Sequence, residues 1–175
     1  MVVRFFLEIL FLLLIGISFY TDLFKGRIYN IVTLPALILG LILNSSGEGL
    51  DGLKSSVLGM GAGLSFFLPL FVIRGVGGGD IKLIAAIGSI KGPVFVFWAV
   101  LYSWVVAGIM SFFVLLWTKK LGGTLKKIFM FFFSLFRIVR YPGYKVLPMD
   151  SRSSLFIPLG VAICTGSVIA WYLRK

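Results

Sequence analysis

Histidine is absent from this chain. That removes Ser-His-Asp and Cys-His nucleophilic arrangements, and most zinc or haem sites, all of which depend on an imidazole. The single cysteine, Cys164, lies in an apolar run, so neither an internal disulfide nor a thiolate cluster can form. Charge is scarce: 13% of the 175 residues are charged, against about 25% in a soluble domain. Six acids remain, Glu8, Asp22, Glu48, Asp51, Asp80 and Asp150, and any acid–base chemistry rests on them.

What is abundant is apolar sequence, at 59% of the chain, arranged in long runs. This is the composition of a membrane protein. The net charge of +11 by itself suggests nucleic acid. In a membrane protein, Lys and Arg instead gather in cytoplasmic loops, so a lipid bilayer rather than nucleic acid is the expected partner.

The runs predict an all-α, polytopic transmembrane bundle in one domain over residues 1–175, with no soluble domain. A first apolar run covers residues 5–20 and ends near Lys25 and Arg27; with no small-residue cleavage site after it, it reads as a retained span. A second span is expected over 28–43 and a third over 55–73, separated by a polar, glycine-rich turn at 44–52. Gly59, Gly61 and Gly63 supply the small-residue spacing that lets membrane helices pack closely. Residues 80–92 give only ~18 Å of helix, short of a ~30 Å hydrocarbon core. Further spans are expected over 94–117 and 155–173.

Charge decides whether residues 80–92 cross. The loop 118–154 holds eight basic residues and one acid. If the short helix crosses, twelve of the seventeen basic residues share one side, in keeping with the positive-inside tendency. Six spans follow, with both termini outside. Within the basic loop, the apolar stretch 128–136 is too short to span and reads as an interfacial helix. A re-entrant turn is the alternative.

The chemistry-bearing stretch is Gly77-Gly78-Gly79-Asp80-Ile81-Lys82. An ionisable side chain at a membrane edge is costly to desolvate and is a functional candidate by default. Asp22 ends the first span and Asp80 begins the fourth, so both reach the same membrane face. Paired carboxylates with no histidine and no metal motif suggest an aspartic dyad: one directs a water, and its protonated partner polarises a carbonyl. Plainer readings stand beside this. Asp80 is also a helix cap, Asp22 with Lys25 an ordinary surface pair, Lys82 a snorkelling side chain, and Glu8 a lipid-edge charge.

Gly77-Gly78-Gly79-Asp80 fits the GxGD motif of intramembrane aspartic proteases, and GGGDIKLIAAIGSIKG resembles the second active-site region of the type IV prepilin peptidases. Asp22 with Lys25-Gly26-Arg27-Ile28-Tyr29-Asn30 is similar to their first active-site region. The late Ile157-Pro158-Leu159-Gly160 is similar to their final span. One departure is Tyr29, where members commonly carry Pro. Larger bacterial members also have a cytoplasmic cysteine-bearing insert and methylate the new N-terminus. With a catalytic aspartate at position 22 and one cysteine, this chain resembles the short, peptidase-only members that serve tight-adherence (Flp) pilins or archaeal preflagellins.

The resemblance implies a membrane aspartic endopeptidase at the cytoplasmic membrane, with its active site facing the cytoplasm. Asp22 and Asp80 would be catalytic, with no cofactor and no metal. Gly77, Gly78 and Gly79 would form a loop beside which an extended prepilin substrate lies, and Lys82 would orient the dyad or the substrate. Two other classes remain: a non-catalytic membrane component of pilus assembly, and a small proton-coupled carrier. A carrier is expected to show an internal repeat and ionisable groups near the midplane. No repeat is seen, and both acids lie at an edge.

Overall fold

Apolar side chains cannot shield an unpaired backbone in lipid, so each lipid-facing segment must close its hydrogen bonds within itself. The computed structural model describes residues 2–72, 75–117 and 158–174, and among them every regular element is an α-helix. These are α1 (Val2–Lys25), α2 (Asn30–Val72), α3 (Gly78–Lys91), α4 (Pro93–Trp117) and α5 (Leu159–Leu173). Three of them, α1, α2 and α4, are long and apolar enough to cross a membrane. The protein is a helical membrane protein. The stretch 128–136, expected as an interfacial helix, lies outside the described residues.

The chain divides into two compact units, Met1–Ala107 with Pro158–Lys175, and Gly108–Ile157. The described part of the second is the end of α4, where Phe112 and Phe113 meet edge to face. The following concerns the first unit.

Its packing inverts that of a soluble protein. Large apolar side chains such as Phe5, Leu13, Ile31 and Leu58 are exposed. The buried face of α2 is built mainly from small residues, among them Thr33, Ala36, Gly40, Ser56, Gly59 and Gly63. Small residues let helix backbones approach closely, which supplies packing where lipid gives no hydrophobic drive. The short α3 is the exception. Ile81 and every residue from Leu83 to Ile90 are buried, so it is apolar on all sides and forms the centre.

A straight helix of 43 residues would be ~65 Å long, about twice the hydrocarbon core. α2 does not run straight. Gly49, at φ 62° and ψ −137°, breaks it within the expected polar turn, while the residues on either side stay helical. Contacts with α3 trace the result. Asn30 meets Lys82, and Asn44 donates to the Ser89 and Ile90 carbonyls. Past Gly49 the order reverses: Gly59 lies against Gly88, Gly63 against Ile84, and Phe71 near Gly78. The two arms are antiparallel and clasp α3 between them. A Cβ on Gly59 or Gly88 would collide with the other's carbonyl, so both positions require glycine for this close approach.

α1 and α5 complete the frame. Asp22 meets Val161, Lys91 meets Glu8, and Trp171 meets Glu8, so α1 is antiparallel to both α3 and α5. One end of the bundle therefore carries Asp22, Asn30, Asp80 and Gly160, and the other Arg4, Glu8, Glu48, Lys91 and Trp171. Glu8 is not an isolated lipid-edge charge. It accepts from the Lys91 ammonium and from the Trp171 indole N–H at 2.8 Å, while Lys91 lies 4.8 Å from the Phe11 ring centre.

Candidate active site

Asp22 continues the buried stripe of α1, four residues after Ser18 and one turn from the helix end. α1 stops where Gly26 takes a positive φ of 60° and its N–H returns to the Asp22 carbonyl at 2.9 Å. That left-handed residue closes the helix with Asp22 facing inward. The side chain is only 5% exposed. It does not pair with Lys25, whose ammonium instead lies 5.6 Å from the Tyr29 ring centre. Its partner is the start of α5, where the Val161 N–H donates to Oδ2 at 2.9 Å. A Cβ at Gly160 would sit 2.7 Å from that same oxygen, so only glycine allows the approach.

Asp80 occupies the first turn of α3 and is half-buried. Its Oδ2 accepts from the Gly77 N–H at 3.2 Å, so the helix-cap reading is correct for one oxygen. It is not the whole description, because Asp80 also lies within electrostatic reach of Asp22. Among the described residues neither carboxylate forms an ion pair; the three ion pairs are Arg4–Glu48, Lys54–Asp51 and Lys91–Glu8. Two acids converge here with backbone amides as their hydrogen-bond donors. No group of three His, Cys, Asp or Glu side chains that could hold a metal gathers among the described residues.

The glycine run differs from the expected loop. Gly78 and Gly79 already belong to α3, and Gly77 is its extended N-cap residue. Gly77 and Gly78 are exposed beside Asp80. Gly79 has a packing role: a Cβ there would stand 3.0 Å from the Cβ of Ile28. Lys82 touches neither aspartate. Its ammonium donates to Asn30 Oδ1 at 2.9 Å, tying the start of α3 to the start of α2.

Three residues of this site carry no obvious chemical signal in the sequence. Ile28 wedges between Gly79 and Gly160, and the Gly160-Val161 backbone receives Asp22. Backbone donors and a packing isoleucine have no signature of their own. The nearest signal was the Pro158-Leu159-Gly160 break before the last apolar run.

The model of the type IV leader peptidase family matches residues 9–112, which include both aspartates. A prepilin leader peptidase/N-methyltransferase from Neisseria gonorrhoeae is 41% identical over 90 residues, which is 45% of this chain and 31% of that protein. The chain thus matches about a third of the length of this curated relative. No solved structure matches.

Proposed function

The chain belongs to the type IV leader peptidase family, and from that premise we propose that it is a membrane aspartic endopeptidase cutting the short basic leader from prepilin-like precursors. The observation that carries this reading is the convergence of Asp22 and Asp80 at one end of the bundle, about the shared neighbour Ile28, with neither in an ion pair among the described residues. Close carboxylates in a partly desolvated site favour holding one proton between them, because full ionisation would place two like charges together. The ionised member takes a proton from water as it attacks the scissile carbonyl. The protonated member donates to the developing oxyanion, and proton transfer to the amine releases the leader.

The substrate is itself a membrane helix with a basic leader. Its scissile bond must be extended to be cut, and exposed Gly77 and Gly78 leave open backbone beside Asp80 for such a strand. In this reading the two arms of α2 and the short α3 and α5 each cross, giving six spans, and the aspartate end faces the cytoplasm. The substrates are of the Flp or archaellin type, and the activity is peptidase only. Lys82 acts through Asn30, holding α2 and α3 in register, rather than on the dyad directly.

The test is direct. The purified protein in lipid is incubated with Flp-type and archaellin-type precursors, and the products are read by mass spectrometry. A new, unmethylated N-terminus after the leader supports the proposal. Intact precursors of both types, from a folded protein, would contradict it.

A further inference from the structure

Glu8 takes no part in the proposed chemistry, yet both of its carboxylate oxygens are engaged. Oε1 accepts from the Lys91 ammonium at the end of α3, and Oε2 from the Trp171 indole N–H of α5 at 2.8 Å. Lys91 also lies 4.8 and 5.7 Å from the ring centres of Phe11 and Phe95, which meet edge to face. Its side chain is only 12% exposed. A charge so enclosed depends on these contacts, because an unpaired charge in apolar surroundings is costly.

The three helices joined at Glu8 are the same three that meet at the aspartates. α1 carries Asp22, α3 carries Asp80, and α5 supplies the Val161 N–H that holds Asp22. At that end Asp80 takes its hydrogen bond from Gly77, in its own turn. The fit of α3 to α1 there is one of packing, with Ile28, just past α1, set against Gly79 and Gly160. Polar contacts through Asn30 and Asn44 tie α3 to α2. The ion pair that ties it to α1 is Glu8–Lys91, at the far end. With 14 residues α3 is about 20 Å long. So short a helix moves as a rigid element, and a clamp at its end sets where its start stands.

We propose that Glu8 is a positioning residue for the two aspartates. By holding Lys91 and Trp171 on one carboxylate it fixes α3 and α5 against α1, and with them Asp80 and Val161 against Asp22. The Arg4–Glu48 pair at the same end makes the contrast. It joins α1 to α2, its side chains are 83% and 55% exposed, and it touches neither α3 nor α5.

The inference rests on the two-aspartate reading, so Asp22→Asn is assayed beside the clamp variants. Leader cleavage by Glu8→Ala, Trp171→Phe, Lys91→Arg and Arg4→Ala is measured as kcat and KM, well below each unfolding midpoint in detergent. Glu8→Ala should lower kcat about 10- to 100-fold with KM unchanged, since an ångström of misplacement costs roughly 100-fold. Trp171→Phe, which removes the indole donor, should lower kcat about tenfold on the same ground. Lys91→Arg keeps a cation for Glu8 and for the two rings and should keep most of kcat. Arg4→Ala should be parental. A purely structural role would lower the midpoints and leave kcat of the folded protein intact. A double-mutant cycle reads the coupling itself. Glu8→Ala combined with Gly160→Ala should lose less than the product of the two single losses, because both displace Asp22 against the same partners. With Asp22→Asn inactive, three results would overturn this inference and leave the dyad standing: parental kcat in Glu8→Ala and Trp171→Phe, a raised KM in place of a lowered kcat, or losses that multiply in full. Parental cleavage by Asp22→Asn would remove the dyad and this inference with it. Should Glu8→Ala fail to fold, parental kcat in Trp171→Phe overturns the proposal.

Discussion

Asp22 shows how a membrane-edge acid is made into a held one. Its position at the end of an apolar run was readable in the sequence. Its partner was not, because Val161 is 139 residues away and contributes only a backbone N–H. Gly160 is the sensitive neighbour. In Gly160→Ala the new methyl would stand 2.7 Å from Asp22 Oδ2 and from Ile28 Cδ1, so either α5 or the carboxylate must move. We expect cleavage to fall by about 100-fold, since an ångström-scale misplacement of a reacting group costs roughly that much. Helix content by circular dichroism should stay parental. Full activity in Gly160→Ala would mean that the α5 contact is incidental.

Among the elements, α3 sets the architecture. Its run of buried residues was legible as apolar but too short to cross unaided, and its place at the centre follows from having no polar side. The clasp by the two arms of α2 was half legible. The glycine-rich turn marked the reversal, but the helix runs up to Gly49 from both sides because one positive-φ residue suffices to break it. The opposite end of α3 was not legible, since Lys91 and Glu8 lie 83 residues apart. Two changes test this packing by thermal unfolding in detergent. Gly88→Val drives a side chain into the Gly59 carbonyl and should cost about 1–3 kcal/mol or more. Lys91→Met removes a charged hydrogen bond to partly exposed Glu8 and should cost about 1–2 kcal/mol. Unchanged midpoints in both would mean that α3 is not held as described.

Among the described residues basic side chains stand at both ends of the bundle, Lys25, Arg27 and Lys82 near the aspartates and Arg4, Lys91 and Arg174 at the other, and the proposed six spans place the aspartate end in the cytoplasm. That placement gives a sided prediction. A cysteine at Arg27 and one at Gly123 should label from the cytoplasm, and one at Glu48 from outside, in a Cys164→Ser background. Labelling of 27 and 123 from opposite sides would break the six-span reading. The central claim is that Asp22 and Asp80 work as one unit, and Asn substitution tests it most directly because size is kept while the ionisable group is lost. Leader cleavage by Asp22→Asn, Asp80→Asn and the double variant is measured with folding verified, since Asp80 also caps α3 at a worth of about 1 kcal/mol. Each single variant should lose cleavage almost completely, and the double should be little worse than either, as groups acting together are strongly non-additive. A folded Asp22→Asn or Asp80→Asn that cuts the precursor near the parental rate would contradict the two-aspartate mechanism.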